Sequence, residues 1–181
     1  MRGVHVEKVF VTASSLLQDS FRLAAAIYRS GFRPDFIVAI WRGGTPVGIA
    51  IQEYFQFRGV ATDHIAVRTS HYEGIDQRSD SIRVHGLHYL IEEANASHSL
   101  LVIDDVFDTG RSIEALLSEL SKKMRLNMPG AIRIATPWYK PTKNRTALVP
   151  DYYLPATDQW IVVPHEVAGL GYEEIERGKT E

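Results

Sequence analysis

Residues 100–112, LLVIDDVFDTGRS, constrain the fold and the chemistry of this chain more than any other segment. The apolar run Leu100–Ile103 predicts a buried strand, which ends at two adjacent carboxylates, Asp104 and Asp105. A small, hydroxyl-bearing turn, Asp108–Ser112, follows, and an amphipathic helix begins directly after it. Free N–H groups at a helix N-terminus bind anions, but neighbouring acids would repel a bare phosphate. The arrangement therefore favours a ligand with hydroxyls or a metal beside its phosphate, such as a sugar phosphate.

The same segment resembles the 5-phosphoribosyl-1-pyrophosphate (PRPP) signature of type I phosphoribosyltransferases. The resemblance implies that Asp104 and Asp105 accept hydrogen bonds from the ribose hydroxyls, or hold a metal directly or through water. It implies that Asp108 is the catalytic base, which takes the purine N7 proton. It also implies that PRPP is held through its 5′-phosphate by Asp108, Thr109, Gly110, Arg111 and Ser112. The alternative is a capped helix whose acids only complement the helix dipole.

Composition and charge narrow the functional classes. The chain has 181 residues, of which 45% are hydrophobic and 23% charged, as is ordinary for one globular domain. A net charge of −2 gives no electrostatic footprint for DNA or RNA, and the absence of cysteine excludes disulfides and thiolate metal sites. No run approaches the roughly 18 apolar residues of a membrane span, and the N-terminus is too charged for a signal peptide. We therefore expect a cytoplasmic protein that binds neither nucleic acid nor a membrane.

Strand and helix patterns alternate along the chain, which predicts an α/β fold with a mainly parallel, twisted sheet flanked by helices. Apolar runs predict strands at 36–40, 64–68, 100–103, 131–135, 152–154 and 160–163. A capping box at 15–18 and the pair Thr45–Pro46 predict two helix starts, with the proline at the first helical position. We expect residues 1–181 to form one domain, with a small hood from terminal segments and partly from about 137–170. The acidic run 173–177 reads as a solvated tail.

A second strand-to-helix turn, Arg42-Gly43-Gly44, follows the strand at 36–40. Ligands of open α/β sheets sit beyond the carboxyl ends of the strands, so this turn and the signature turn can face one cavity. The glycines allow positive φ and expose N–H groups, and Arg42 can bind an anion. In the family that the chain resembles, an Arg-Gly-Gly turn at this point contacts the pyrophosphate, which implies that role for Arg42, Gly43 and Gly44. The alternative is a glycine pair that serves only a tight turn.

Two later segments resemble the base-binding part of the purine branch, close to hypoxanthine and xanthine-guanine phosphoribosyltransferases. They are WYKP at 138–141 and DQWIVVPHE at 158–166. The resemblance implies that Lys140 donates to O6 of the base, that Trp160 stacks on the purine and that the backbone of Ile161 meets the base edge. A lysine ammonium suits a carbonyl oxygen and would repel an amino group. A solvated loop lysine and a core tryptophan are the alternatives.

The polar segment Ser70–Arg83 lacks a clear period and predicts a long loop, of the kind that often forms a lid. Lids in the family often carry an adjacent Ser-Tyr pair that closes over PRPP. Here His71 separates Ser70 from Tyr72, so both are lid candidates and the sequence does not say which of them contacts the ligand.

The expected function is purine salvage. The protein would transfer 5-phosphoribosyl from PRPP to a 6-oxopurine (hypoxanthine, guanine or xanthine), giving the nucleoside 5′-monophosphate and pyrophosphate. The partners would be PRPP and a purine base, the cofactor Mg²⁺, and the assembly a homo-oligomer, dimer or tetramer. One alternative is another base, adenine or a pyrimidine. The other is a non-catalytic, PRPP-responsive regulator of the same fold, against which the acidic balance counts.

Overall fold

The described part of the chain alternates between strands and helices. The structure is a computed structural model that describes residues 8–71, 82–167 and 169–179. The strands are β1 (Lys8–Phe10), β2 (Phe36–Trp41), β3 (Asp63–His71), β4 (Ile82–His85), β5 (Ser99–Ile103), β6 (Val106–Phe107), β7 (Ala131–Ala135), β8 (Trp138–Tyr139) and β9 (Trp160–Val162). The helices are α1 (Ala13–Arg29), α2 (Gly44–Phe57), α3 (His88–Glu93), α4 (Arg111–Met124) and α5 (Tyr172–Lys179), with a 3₁₀ turn at Arg125–Asn127. Within the described ranges, none of these helices has the length and apolar character to span a membrane.

The central sheet confirms the predicted α/β fold. Its five strands lie in the order β4-β3-β2-β5-β7. Strands β3, β2, β5 and β7 run parallel, and β4 pairs with β3 in the antiparallel direction. The carboxyl ends of β2, β5 and β7 therefore meet at one edge of the sheet, where ligands of open α/β sheets bind.

Helices cover both faces of this sheet. Neighbouring side chains of a strand point to opposite faces, so each central strand contributes to two separate buried clusters. Val38 and its register partner Val102 lie in one buried cluster, with side chains from α3 and α4. Ile37 and its partner Leu101 lie in a second cluster, with side chains from α1 and α2. Burial on both sides explains why β2 and β5 are continuous apolar runs rather than alternating ones.

Two helix starts differ from those that the sequence predicted. Helix α1 begins before the predicted capping box, because the Thr12 hydroxyl accepts from the backbone N–H of Ser15 at 3.1 Å and caps the helix there. Helix α2 begins at Gly44, so Pro46 occupies its third position rather than its first. A proline is tolerated there, since the first-turn N–H groups have no partner within the helix.

Two short ribbons lie outside the central sheet. Strand β1 pairs in parallel with β9, which places Lys8 beside Trp160, and β6 pairs in parallel with β8. The predicted strand at 152–154 is wrong: Tyr152 makes only an isolated bridge to Ala135, and prolines on both sides of the segment remove ladder donors. The β1–β9 ribbon joins the N-terminal segment to the region where the sequence predicts a hood. The assignment of residues 1–181 to one domain stays a prediction.

Two segments for which the sequence predicted no regular secondary structure contain strand or helix residues. The predicted loop at 70–83 overlaps two strands, since β3 extends through His71 and β4 begins at Ile82. Tyr72 lies outside the described residues. The expected tail at 173–177 is part of α5, whose first turn carries Glu173 and Glu174 at the positive end of the helix dipole.

Candidate active site

A cavity of about 950 Å³ opens at the carboxyl ends of β2 and β5. The predicted site residues that line it are Arg42, Gly43, Asp105, Asp108, Thr109, Ser112, Lys140, Trp160 and Ile161. They come from the two strand-to-helix turns and from both base-binding segments. The structure thus brings four separate parts of the sequence to one concave surface.

Asp104 and Asp105 follow β5 directly, and both are partly buried. Their backbone is held locally: the N–H of Asp105 donates to the Asp104 carboxylate at 3.0 Å, and the N–H of Val106 donates to the Asp105 carboxylate at 2.8 Å. Burial raises the pKa of Asp104 well above its usual value, and the negative charge of Asp105 raises it further. Hydroxyl donors or a cation would stabilise the two adjacent carboxylates at this strand end.

The turn after β6 leads into α4 and forms a second, smaller cavity of about 80 Å³. The residues that line it are Asp104, Val106, Phe107, Asp108, Thr109, Gly110, Ser112 and Ile113. Gly110, the N-cap of α4, has φ = 78°, and an added Cβ would approach Thr146 Oγ1 to 2.6 Å and the Phe107 ring to 2.7 Å. A glycine is therefore required. Gly110 has no side chain to cap the helix, and the Thr109 hydroxyl accepts only the N–H of Arg111, at 3.4 Å, so the next N–H groups of the first turn are available to an anion.

The Arg42-Gly43-Gly44 turn lies against the acidic pair. The sequence suggested that its glycines allow positive φ, but Gly43 is right-handed helical, with φ = −60° and ψ = −39°. The glycines are needed for close approach instead. A Cβ on Gly43 would overlap the carboxylate of Asp105, and one on Gly44 would overlap the carbonyl of Ile103.

The β6–β8 ribbon sets Lys140 opposite Asp108. Its register pairs Phe107 with Tyr139, and the N–H of Lys140 donates to the carbonyl of Phe107 at 2.9 Å. The Lys140 ammonium lies 3.3 Å from Asp108 Oδ2. The lysine side chain is 11% exposed and the aspartate 47%. The ammonium is therefore presented to the cavity from a buried stem, beside a carboxylate that can accept a proton.

Trp160 and Ile161 form another wall. Trp160 is the first residue of β9 and is 43% exposed, so a large indole surface is open to the cavity. Ile161 is buried and packs into the core cluster on the α1–α2 side of the sheet. An exposed aromatic face next to a fixed strand backbone can hold a flat heterocycle by stacking.

Three other predicted residues lie off the main cavity wall. Gly44 is buried behind the turn, and Arg111 is the first residue of α4. Ser70 lies on β3, and its hydroxyl lies 3.1 Å from His85 Nε2 on β4, so it belongs to a hairpin rather than to a loop. The neighbouring Thr69 lines the cavity in its place.

The structure also adds residues to the site. The cavity-lining residues that the sequence did not assign are Trp41, Thr69, Val106, Lys143, Asp158, His165 and Glu166. His165 Nε2 lies 3.2 Å from Asp105 Oδ2, so the segment after β9 reaches the acidic pair. His165 belongs to the segment that resembles the purine branch, which could have drawn attention to it. No sequence signal marked Thr69 or Lys143.

The acidic pair is a suitable place for Mg²⁺, which prefers hard oxygen ligands. Within the described ranges, no group of three or more His, Cys, Asp or Glu side chains could hold a metal. Two carboxylates are too few for an all-protein cage, but they suit an ion that also binds a phosphate-bearing ligand. The raised pKa of Asp104 agrees with a site where a cation would offset repulsion.

Several known proteins are similar to this chain. A hypoxanthine-guanine phosphoribosyltransferase from Lactococcus lactis subsp. lactis is 26% identical over 174 residues, which cover 93% of this chain and 85% of the relative. The crystal structure of a purine phosphoribosyltransferase from Pyrococcus horikoshii Ot3 has 26% identity and a TM-score of 0.69, and the match covers 91% of this chain and 97% of that one. A xanthine-guanine-hypoxanthine phosphoribosyltransferase from Helicobacter pylori shares the fold at 18% identity, with a TM-score of 0.65 over 88% of this chain and 92% of that one.

The family comparison covers most of the chain, including every part of the cavity described above. The family model described as a phosphoribosyl transferase domain matches residues 11–169. That span includes both strand-to-helix turns, the β6–β8 ribbon and strand β9. The chain therefore belongs to the phosphoribosyl transferase domain family.

Proposed function

We propose that this protein is a purine salvage phosphoribosyltransferase. It transfers the 5-phosphoribosyl group of PRPP to a 6-oxopurine, giving a nucleoside 5′-monophosphate and pyrophosphate. The family membership supports the reaction class, and the relatives named for purine, hypoxanthine-guanine and xanthine-guanine-hypoxanthine substrates support the choice of base.

The observation that carries the proposal is the pairing of Lys140 with Asp108 across 3.3 Å on the cavity wall. A 6-oxopurine presents the O6 acceptor and the N7 position next to each other on one edge. An ammonium and a carboxylate side by side complement that edge, because the first donates to O6 and the second accepts the N7 proton. Trp160 supplies an exposed indole for the flat face of the same base. Adenine carries an amino group in place of O6. This group and the Lys140 ammonium are both donors, so they would form no hydrogen bond with each other.

The other subsites follow from the same chemistry. Thr109 to Ser112 bind the 5′-phosphate at the start of α4, and this unreacting group orients the ribose. Asp104 and Asp105 accept hydrogen bonds from the ribose hydroxyls. The Arg42-Gly43-Gly44 turn binds the pyrophosphate through its guanidinium and N–H groups. Asp108 takes the N7 proton as the bond between the base and C1 forms.

A lid is part of the proposal. The segment that begins near Ser70 and includes Tyr72 closes over PRPP and excludes water, which would otherwise hydrolyse it. Mg²⁺ at Asp104 and Asp105 would neutralise the charge of the departing pyrophosphate. A single domain with a hood, a homo-oligomeric assembly, a cytoplasmic location and the absence of nucleic-acid binding stay predictions.

One assay panel tests the function. Hypoxanthine, guanine, xanthine and adenine are each supplied with PRPP and Mg²⁺, and nucleotide formation and pyrophosphate release are followed spectrophotometrically. We expect turnover of at least one oxopurine and much weaker turnover of adenine. Turnover of adenine alone, or a mobility shift with nucleic acid and no pyrophosphate release, would overturn the proposal in favour of another base or of a regulator.

A further inference from the structure

Trp160 has a cationic neighbour that does not line the cavity. The register of the β1–β9 ribbon pairs Lys8 with Trp160, so the two side chains leave the same face of the ribbon. The Lys8 ammonium lies 5.7 Å from the centroid of the indole, within the range of a cation–π interaction. Trp160 lines the cavity, whereas Lys8 is absent from its lining. The ammonium therefore contacts the indole from outside the site.

The Lys8 ammonium is itself held in place by the C-terminal segment. It donates to the Glu174 carboxylate at 2.8 and 3.0 Å, and to the carbonyl of Gly169 at 3.3 Å. Glu174 is fixed in turn, because it also accepts the backbone N–H of Gly171 at 2.8 Å at the start of α5. These contacts lower the pKa of Glu174, first through Gly171 and then through Lys8, so the carboxylate stays charged.

The Gly169 backbone completes the support. An added Cβ at Gly169 would lie 3.4 Å from Cζ2 of Trp160, so the chain passes directly against the indole edge. Strand β1 thus contacts the indole through Lys8, the segment before α5 passes against it at Gly169, and α5 holds Lys8 through Glu174. None of these elements contributes a residue to the cavity wall itself.

We propose that Lys8 is a positioning residue for the purine subsite: it holds the indole of Trp160 in the orientation that stacks on the base. The inference rests on the proposed function, because it gives Trp160 the base as its ligand. A side chain that is already fixed loses less conformational freedom when its ligand binds, so the site binds the base more tightly. The proposed PRPP site is formed by other elements, so KM for PRPP should not depend on Lys8.

The test uses the full chain and compares steady-state constants for the preferred oxopurine and for PRPP. Lys8→Met keeps an unbranched side chain, one atom shorter, and removes the charge, whereas Lys8→Arg retains a cation. A cation–π interaction at a partly exposed site predicts a roughly two- to fivefold rise in KM for the base in Lys8→Met, with KM for PRPP unchanged. Lys8→Arg should restore the wild-type value. The matched control is Lys123→Met, since Lys123 pairs with Glu119 at 3.1 Å on the surface of α4.

A double-mutant cycle separates positioning from a general loss of stability. In a Trp160→Leu background, Lys8→Met should have no further effect on KM for the base, because the indole through which it acts is gone. Glu174→Gln should raise KM for the base less than Lys8→Met does, and it serves as the main variant if Lys8→Met does not fold.

The outcomes for the function and for Lys8 are distinct. A wild-type protein that converts none of the bases would overturn the proposed function and this inference with it. If the wild-type protein is active and KM for the base is unchanged in both Lys8→Met and Glu174→Gln, the inference about Lys8 is wrong and the proposed function stands. Equal effects on both substrates, or additive effects in the cycle, would assign Lys8 a structural role only.

Discussion

The Lys140 ammonium lies 3.3 Å from Oδ2 of Asp108, although the two residues are 32 positions apart in the chain. The β6–β8 ribbon makes this contact, because its parallel register carries both chains out of the ribbon at the same level. Lys140 is the proposed hydrogen-bond donor to O6 of the purine, and Asp108 is the proposed general base. Under the proposed function, a purine would therefore bind against an existing ion pair rather than in two independent subsites.

Lys140→Ala should weaken the binding of oxopurines and relax base selectivity. A hydrogen bond from a charged donor contributes about 1.5–3 kcal/mol, so we expect roughly a tenfold to hundredfold loss in kcat/KM for hypoxanthine or guanine. The Kd for PRPP should scarcely change. The measurement is kcat/KM for hypoxanthine and adenine in both proteins, with Lys143→Ala, an exposed lysine of the same cavity, as the control. If the ratio of kcat/KM for hypoxanthine to kcat/KM for adenine is unchanged in Lys140→Ala, groups other than Lys140 determine the choice of base.

Asp108→Asn should lower kcat and leave PRPP binding largely intact, because the amide keeps the shape of the side chain but cannot take a proton. Loss of a general base typically costs about 10²- to 10⁴-fold. Single-turnover kinetics with an oxopurine measure the effect, and Asp158→Asn is the control from the same cavity wall. Wild-type turnover in Asp108→Asn would exclude Asp108 as the base.

Activity should require Mg²⁺, and the protein alone should bind it weakly. The acidic pair offers two carboxylates, and within the described ranges no larger ligand group exists, so the ion should bind mainly together with PRPP. Titration calorimetry of Mg²⁺ into the protein with and without PRPP checks this. Tight binding without PRPP, or full activity in excess chelator, would contradict the prediction.

Gly43→Ala should impair the site without unfolding the protein. The added methyl group would overlap the carboxylate of Asp105, so either the turn or the acid must move. A misplacement of about 1 Å can cost roughly 10²-fold in rate, and we expect a loss of that order in kcat/KM for PRPP. Gly59→Asn is the control, because Gly59 lies in an open left-handed turn at the other end of α2, which asparagine tolerates. Equal activity in the two variants would show that the close approach is dispensable.

Asp104→Asn should increase the free energy of unfolding while it lowers activity. Burial and Asp105 raise the pKa of Asp104 in the folded protein, so ionisation of this group costs stability. As pH rises from about 4, the ordinary pKa of an aspartate, the wild type should lose stability until the folded pKa is passed. The gain in Asp104→Asn should therefore grow as pH rises above about 4, until the raised folded pKa of Asp104 is passed, and it should disappear below about pH 4. Denaturant unfolding across this range measures it, and a gain that persists at low pH would point to another cause.

The sequence by itself determined the order along the chain of the parallel strands of the central sheet and of helices α1, α2 and α4, and it named many of the residues that line the cavity. Ala131–Ala135 was predicted residue for residue, and the signature segment was placed on the correct strand end. These predictions succeed because burial on both faces leaves a continuous apolar run, and because the close turn between β6 and α4 needs a glycine at Gly110. Such constraints are local, so they can be read along the chain.

Tertiary structure decided what depends on register and on distant contacts. The pairing of Lys140 with Asp108 follows from two-residue strands whose alignment no local pattern specifies. The role of Gly43 came from the approach of Asp105 rather than from its own φ angle, and a sequence cannot show which atoms lie beside a missing Cβ. The sequence predicts a solvated tail around Glu174, whereas the fold places Lys8, 166 residues away, beside its carboxylate. A charge has a structural partner only once the fold has brought the two together, and for that reason these contacts are a property of the fold alone.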